Sequence, residues 1–299
     1  MNVSDLVRYG IAGLGHVSSR LVLGKTKPLV GGIAINDRCN LSCRHCAVSN
    51  RNIPDMDISE IRAGLKILRK MKIETLFIEG GEPFLWSDGA MNLETVVGEA
   101  KSKGFRSVIV YTNGTFPIET SATTVYVSLD GMKDTNDLLR GRCFETAVSH
   151  IERSNHPKIL INFTINAVNE REIESFCDLI TQLRSVKGLF FYFHTPYDES
   201  DALSLDARSR SRVVDRLLKL KRLGYPVLNS NAALKAVAKN SWRRPSRLCY
   251  LYANNTLYRC CRAFGNERMC ASCGYLGYVE LHCISTLRPS AIAAAVKCL

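Results

Sequence analysis

Nine of the twelve cysteines in this chain fall into two groups, Cys39, Cys43 and Cys46 near the start and Cys249, Cys260, Cys261, Cys270, Cys273 and Cys283 near the end. The first group is Cys39-Asn-Leu-Ser-Cys43-Arg-His-Cys46, placed directly after a short apolar run that reads as a strand. Thiolates spaced this closely on a loop can converge on one inorganic centre. A structural zinc site needs four nitrogen or sulfur ligands and usually arrives as paired CxxC units; His45 would supply the fourth only through an awkward local fold. Three thiolates suit a [4Fe–4S] cluster with one iron left open.

The second group needs a turn to assemble. Between Cys249 and Cys260, the segment from Leu251 to Tyr258 reads as two short strands joined at Asn254-Asn255, residues that tolerate left-handed backbone. That hairpin brings Cys249 beside Cys260, and a CxxC follows at Cys270 and Cys273. Four such thiolates fit an auxiliary [4Fe–4S] cluster or a Zn(Cys)4 site, with iron–sulfur favoured by analogy with the first group. Cys261 could replace Cys260, and Cys283 could join a second centre. Cys143, Cys177 and Cys298 read as ordinary thiols.

These loops need a scaffold, and 299 residues with 46% apolar and 23% charged composition allow one large α/β domain or one domain plus a small appendage. Disorder, collagen and low-complexity scaffolds are excluded. Strands are expected at Gly32–Asn36, Thr75–Glu79, Ser107–Tyr111, Thr124–Leu129, Ile159–Ile165 and Leu189–Phe193, alternating with helices at Ser59–Met71, Leu93–Lys103, Glu170–Leu183 and Asp206–Leu223. That alternation is the βαβ signature of a parallel sheet. Residues 1–30 form a basic apolar segment that an amphipathic helix would explain, lying on a membrane or, preferably, packed on the body. Composition shifts near Asn240–Pro245, which divides the chain into 31–240 and a Cys-rich extension with a C-terminal helix at 241–299.

Lys plus Arg number 40 against 28 Asp plus Glu, a formal charge of +12. Such an excess favours an anionic partner or is spread over solvated helix faces. The first nine residues do not resemble a cleavable signal, and no run is long enough to cross a bilayer. Clustered cysteines without a secretory signal point to a reducing, cytoplasmic setting, with peripheral membrane association as an alternative.

Taken in order, the motifs resemble those of the radical S-adenosylmethionine (radical SAM) enzymes. Cx3Cx2C follows the first strand; Glu79-Gly80-Gly81-Glu82-Pro83 ends the second and matches the family's GGEP motif; Thr112-Asn113-Gly114 ends the third; Val127-Ser128-Leu129-Asp130-Gly131 ends the fourth, with Arg140-Gly141 after it. The last pattern and the terminal cysteines look like the subgroup with SPASM or twitch extensions, except that Asn255 stands where that extension carries Gly. The resemblance implies a partial (β/α)6 TIM-like barrel with a small Cys-rich extension. It implies a [4Fe–4S] cluster on Cys39, Cys43 and Cys46 that binds S-adenosylmethionine. Gly80, Gly81, Glu82, Pro83, Asn113, Ser128 and Asp130 would surround that cofactor, and a second cluster would sit on Cys249, Cys260, Cys270 and Cys273. Reductive cleavage to a 5′-deoxyadenosyl radical then follows, fed by an electron donor such as ferredoxin or flavodoxin.

The expected substrate is a small molecule or lipid, with peptide modification as the alternative. A non-enzymatic iron–sulfur or zinc protein binding nucleic acid is the third reading, resting on Tyr250, Tyr252 and Tyr258 among Arg243, Arg244, Arg247, Arg259 and Arg262. Such aromatics more often pack a hairpin, which makes nucleic acid the least favoured partner. His194, at the end of the sixth strand, is either substrate-facing or a satisfied structural histidine.

Overall fold

The computed structural model describes residues 27–196 and 201–298. The basic segment expected at 1–30 lies, up to residue 26, outside the described residues. An eight-stranded sheet organises the rest, and six of its strands, all parallel, run from β1 (Val30–Ala34) through β2 (Thr75–Glu79), β5 (Ser107–Thr112), β6 (Thr124–Ser128) and β7 (Ile159–Ile165) to β8 (Val186–Phe193) at one edge, in that spatial order. A small antiparallel pair, β3 (Ser87–Asp88) and β4 (Met91–Asn92), stands apart. The strands carry continuous apolar runs because helices cover them, so that all five residues of β6 are buried. The expected first strand is shifted by two residues toward the N-terminus, since pairing with Thr75–Glu79 begins at Val30.

Helix α1 (Ile58–Lys70) shows how sequence sets these elements. Asp57 accepts from the Glu60 amide while the Glu60 carboxylate accepts from the Asp57 amide, a closed capping box. Ile61, Leu65 and Leu68 are fully buried at helical spacing, with Arg62 and Lys66 outward. Truncating Leu65 to Ala would cost about 2–5 kcal/mol. The remaining connections are α2 (Leu93–Ser102), α3 (Lys133–Arg140), α4 (Phe144–Arg153), α5 (Ile173–Gln182), α6 (Ala207–Arg222) and α7 (Asn231–Ala238). A 3-10 turn at Glu170–Glu172 replaces the first turn expected of α5.

The predicted hairpin exists, as β9 (Cys249–Ala253) and β10 (Thr256–Arg259), and extends the main sheet. β9 pairs parallel with β1 from Val30↔Cys249 to Ala34↔Ala253. Asn254 and Asn255 take φ of 47° and 56° at the turn, which suits a tight hairpin. Beyond it come α8 (Glu267–Ser272), α9 (Leu276–Ser285) and α10 (Pro289–Cys298). Between α8 and α9 the chain meets the far edge of the sheet: the Phe193 amide donates to the Gly274 carbonyl at 2.9 Å and the Gly274 amide to Thr195 Oγ1 at 3.0 Å. A Cβ on Gly274 would lie 2.3 Å from the Phe193 carbonyl, so this approach requires glycine. The segment after the hairpin thus links the β1 side of the sheet to β8. Among the described residues no helix is long and apolar enough to cross a membrane.

Candidate active site

Because β1, β2 and β5–β8 are parallel, their C-terminal ends share one edge, and the sequence motifs gather there. Cys39, Cys43, Cys46, Gly80, Gly81, Asn113 and Ser128 line one cavity of about 260 Å³, together with His45, Arg140 and His194. Cys39 and Cys43 are half-buried and Cys46 is exposed. The Asn113 side-chain amide lies 3.7 Å from Cys39 Sγ, and Cys46 Sγ lies 3.2 Å from Ser49 Oγ. Burial pushes the Cys39 thiol up, and that of Cys43 to about 11 despite the opposing pull of Arg140. A cationic centre reverses that preference, since metal ligation requires the thiolate.

Behind the loop, carboxylates and glycines hold the frame. Glu82 is fully buried; its Oε1 accepts from Thr112 Oγ1 at 2.8 Å and its Oε2 from the Asn113 amide at 2.7 Å. Burial lifts its pKa to about 7 against those hydrogen bonds. Pro83, also buried, begins the short 3-10 turn that Glu82 caps. A Cβ on Gly80 would meet Asn36 Oδ1 at 2.0 Å, and one on Gly81 the Arg38 carbonyl at 2.1 Å. These glycines therefore let β2 pass against the segment that leads into Cys39. Asp130 is fully buried, where Arg140 Nε and the Thr164 amide donate to it and His45 Nε2 stands 3.2 Å away. Desolvation would raise its pKa, but Arg140 and His45 overcome that and hold it at about 2. As placed, the Glu82 and Asp130 carboxylates bond to neighbouring protein groups, while the Ser128 side chain and the Gly80–Gly81 backbone border open space.

His45 faces Asp130 through Nε2, and its buried Nδ1 has no hydrogen-bond partner among the described residues. His194 lines the same cavity, its ring edge-on 6.4 Å from that of His45, 4% exposed and with Nε2 2.7 Å from Asp201 Oδ2; it is both cavity-facing and partnered. Among the described residues no three Cys, His, Asp or Glu side chains are gathered tightly enough to clasp a single metal ion. Three soft thiols on one loop, with His45 engaged elsewhere, are a donor set that fits an iron–sulfur cluster with an open corner.

In the second set the hairpin brings Cys249 beside Cys260. The Cys260 amide donates to the Cys249 carbonyl at 2.9 Å, and Cys249 and Cys260 are nearly fully buried. Cys260 has a positive φ of 63°, which turns the chain at the end of β10. Its thiol hydrogen-bonds Cys261, raising its own pKa and lowering that of Cys261. Cys273 feels the charges of both Cys261 and Cys270. Cys261 is thus a close neighbour of Cys249, Cys260 and Cys273. Cys283 has Glu280 and Arg288 as its charged neighbours. Cys143 sits by Asn136, Cys177 in the core and Cys298 on α10. The aromatics of the hairpin pack it, Tyr252 being buried with its hydroxyl donating to Asn255. Arg244 holds the Cys270 carbonyl and stacks 4.0 Å from the Trp242 ring.

Sequence reasoning missed Tyr111, Tyr192 and Tyr275, which floor the cavity. Tyr111 and Tyr192 sit within ordinary-looking apolar strands, and Tyr275 follows the CxxC by two residues without any pattern of its own.

Comparison with known proteins is consistent with this geometry. Residues 33–180 match the model of the Radical SAM superfamily. The chain is 29% identical over 246 residues to the Fe-coproporphyrin III synthase of Methanosarcina barkeri, covering 75% of this chain and 60% of the relative. It is 28% identical over 175 residues to the pre-heme d1 synthase of Dinoroseobacter shibae, covering 54% and 42% respectively. Among solved structures, Streptococcus suis SuiB bound to precursor peptide SuiA superposes with a TM-score of 0.64 at 15% identity, over 84% of this chain and 63% of that one. The chain thus spans only part of the length of these relatives.

Proposed function

We propose that this chain, whose residues 33–180 match the model of the Radical SAM superfamily, is a radical SAM enzyme acting on a small-molecule or lipid-type substrate. Cys39, Cys43 and Cys46 would hold a [4Fe–4S] cluster, with Gly80, Gly81, Asn113 and Ser128 beside S-adenosylmethionine. The carrying observation is the single cavity that these residues share at the C-terminal strand edge. When bound, cluster and S-adenosylmethionine together supply one-electron cleavage to a 5′-deoxyadenosyl radical. The chain's own residues do the rest. Glu82 fixes the Thr112–Asn113 turn, which aims Asn113 at Cys39. Asp130 fixes Arg140, whose guanidinium lies 4.0 Å from Cys43 Sγ and offsets the negative charge of the thiolates. Pro83 and Glu82 shape the loop from beneath, and Asp130 acts through Arg140 and His45. The tyrosine floor would close the chamber from below.

Cys249, Cys260, Cys270 and Cys273 would carry an auxiliary cluster of the twitch type, with Cys261 a fifth thiol beside it. The Ser-Leu-Asp-Gly and Arg-Gly pattern that suggested peptide modification forms the buried Asp130–Arg140 pair. The relatives named as Fe-coproporphyrin III and pre-heme d1 synthases support a small-molecule substrate.

The test is anaerobic: reconstituted protein with dithionite and S-adenosylmethionine should release 5′-deoxyadenosine. The Cys39→Ala/Cys43→Ala/Cys46→Ala variant should release none and retain about four irons of about eight. Absence of 5′-deoxyadenosine from the wild type, or full iron retention in the variant, rejects the reading.

A further inference from the structure

Beneath the thiol-faced cavity lies a larger one of about 540 Å³, within the range of small-molecule sites. Its walls are apolar, from Phe77, Ile109 and Phe190 on the sheet to Leu281, Ile284 and Ala295 on α9 and α10. Tyr111, Tyr192 and Tyr275 line both cavities, and one layer of tyrosine separates them. Within that layer Tyr111 and Tyr192 hydroxyls are 3.2 Å apart, and the Tyr192 and Tyr275 rings 4.5 Å apart. The far end of the lower cavity opens among residues that precede the strands. Exposed Lys27, Lys72 and Arg106 stand there with one carboxylate, Glu74, which lies 3.5 Å from Arg106. A single buried carboxyl interrupts the wall, Glu280, which binds the Ser230 amide through Oε1.

We infer that this lower chamber binds the hydrocarbon chain of a single-chain anionic amphiphile. Its head group sits at the Lys27–Lys72–Arg106 rim and its far end lies against the tyrosine layer. Apolar walls select the chain, because a polar ligand would leave its hydrogen-bonding groups unmatched there. The rim selects the head, since Lys27 and Lys72 stand beside the Arg106–Glu74 pair and leave a net positive charge there. An apolar chamber of this kind does not hold ordered water well and gains by taking up hydrocarbon. The inference rests on the proposed radical chemistry only for the ligand's identity as substrate, since the tyrosine layer stands between the chain end and the thiol-faced cavity and would have to part for the chain end to react. Substrate class thereby narrows to a lipid-like acid with an unactivated hydrocarbon end.

The test is displacement of the fluorescent fatty acid cis-parinarate from full-length, cluster-loaded protein by octanoate, dodecanoate and hexadecanoate, below their micelle concentrations. Affinity should rise about fourfold per added methylene until the chamber is filled. Ala295→Trp, which fills the chamber, should weaken dodecanoate at least tenfold while the melting curve stays cooperative. Lys72→Glu should weaken it several-fold, and the difference should fade at high salt. A dodecanoate bearing a terminal diazirine should label peptides containing Ile109 or residues 281–295. Equal affinity across chain lengths, undiminished binding in Ala295→Trp, or labelling confined to residues 1–26 would overturn the inference. Amphiphile binding is read without turnover and 5′-deoxyadenosine release without amphiphile, so either reading can fail alone.

Discussion

The two thiol groups differ in how the fold holds them. Cys39, Cys43 and Cys46 ride on a loop at the open edge of the sheet, with Cys46 exposed and an ion pair behind them. Cys249 and Cys260 are built into the hairpin that pairs with β1, while Cys270 and Cys273 belong to the segment that reaches β8. One group is presented to a cavity; the other lies where the two ends of the sheet are joined. A centre on the first would serve chemistry and be lost with little structural consequence, whereas a centre on the second would contribute folding free energy, because its ligands come from elements that must meet.

The largest expected effect tests that contrast directly. In cluster-reconstituted protein, Cys270→Ala/Cys273→Ala should lower the melting temperature by about 10 °C or more. The Cys39→Ala/Cys43→Ala/Cys46→Ala variant should melt within a few degrees of wild type. Equal melting losses in the two variants, read by thermal unfolding, would erase the distinction.

Arg140→Leu sharpens the first half of the comparison. It leaves the buried Asp130 carboxylate without its guanidinium, which should cost about 3–5 kcal/mol in urea unfolding. Because Asp130 has a folded pKa of about 2, below its unfolded value, the stability it brings is present above the unfolded pKa. It is lost as pH falls through about 2. Wild type and Arg140→Leu should therefore converge in stability toward strongly acid pH.

Glu280→Gln probes the side of α9, the helix that follows the second thiol group. Burial raises the Glu280 pKa to about 7 from an ordinary 4.5, so folding is favoured by protonation. That stability is full below about 4.5 and lost as pH rises through 7. Glu280→Gln should stabilise the protein by up to about 3 kcal/mol at pH 8 and by nothing at pH 4. A pH-independent difference would show that the carboxyl is not buried as described.

Much of the frame was legible because parallel strands, covered on both faces, must be written as apolar runs. β2 and β7 fall at the expected residues, and the helices expected at Ser59–Met71 and Asp206–Leu223 are found as α1 and α6 with ends within one or two residues. The glycines after β2 were legible as part of a motif, but not what they pass against: the neighbours are Asn36 and the Arg38 carbonyl. Glu82 and Asp130 were legible as polar groups at strand ends. Their hydrogen bonds to Thr112, Asn113, Arg140 and Thr164 were not, because those partners meet them only when neighbouring strands and the next helix are aligned.

What the sequence determined alone was the donor chemistry: three thiols within eight residues must lie on one loop, and a strand period of two fixes which neighbours face inward. Tertiary structure alone decided that β9 would add to β1, that Gly274 would bring Tyr275 to the edge of β8, and that one tyrosine layer would divide two chambers. Spacing along a chain constrains only groups a few bonds apart. Contacts between Tyr111, Tyr192 and Tyr275 depend on closing loops of more than eighty residues, and their positions are set by the packing of the whole sheet.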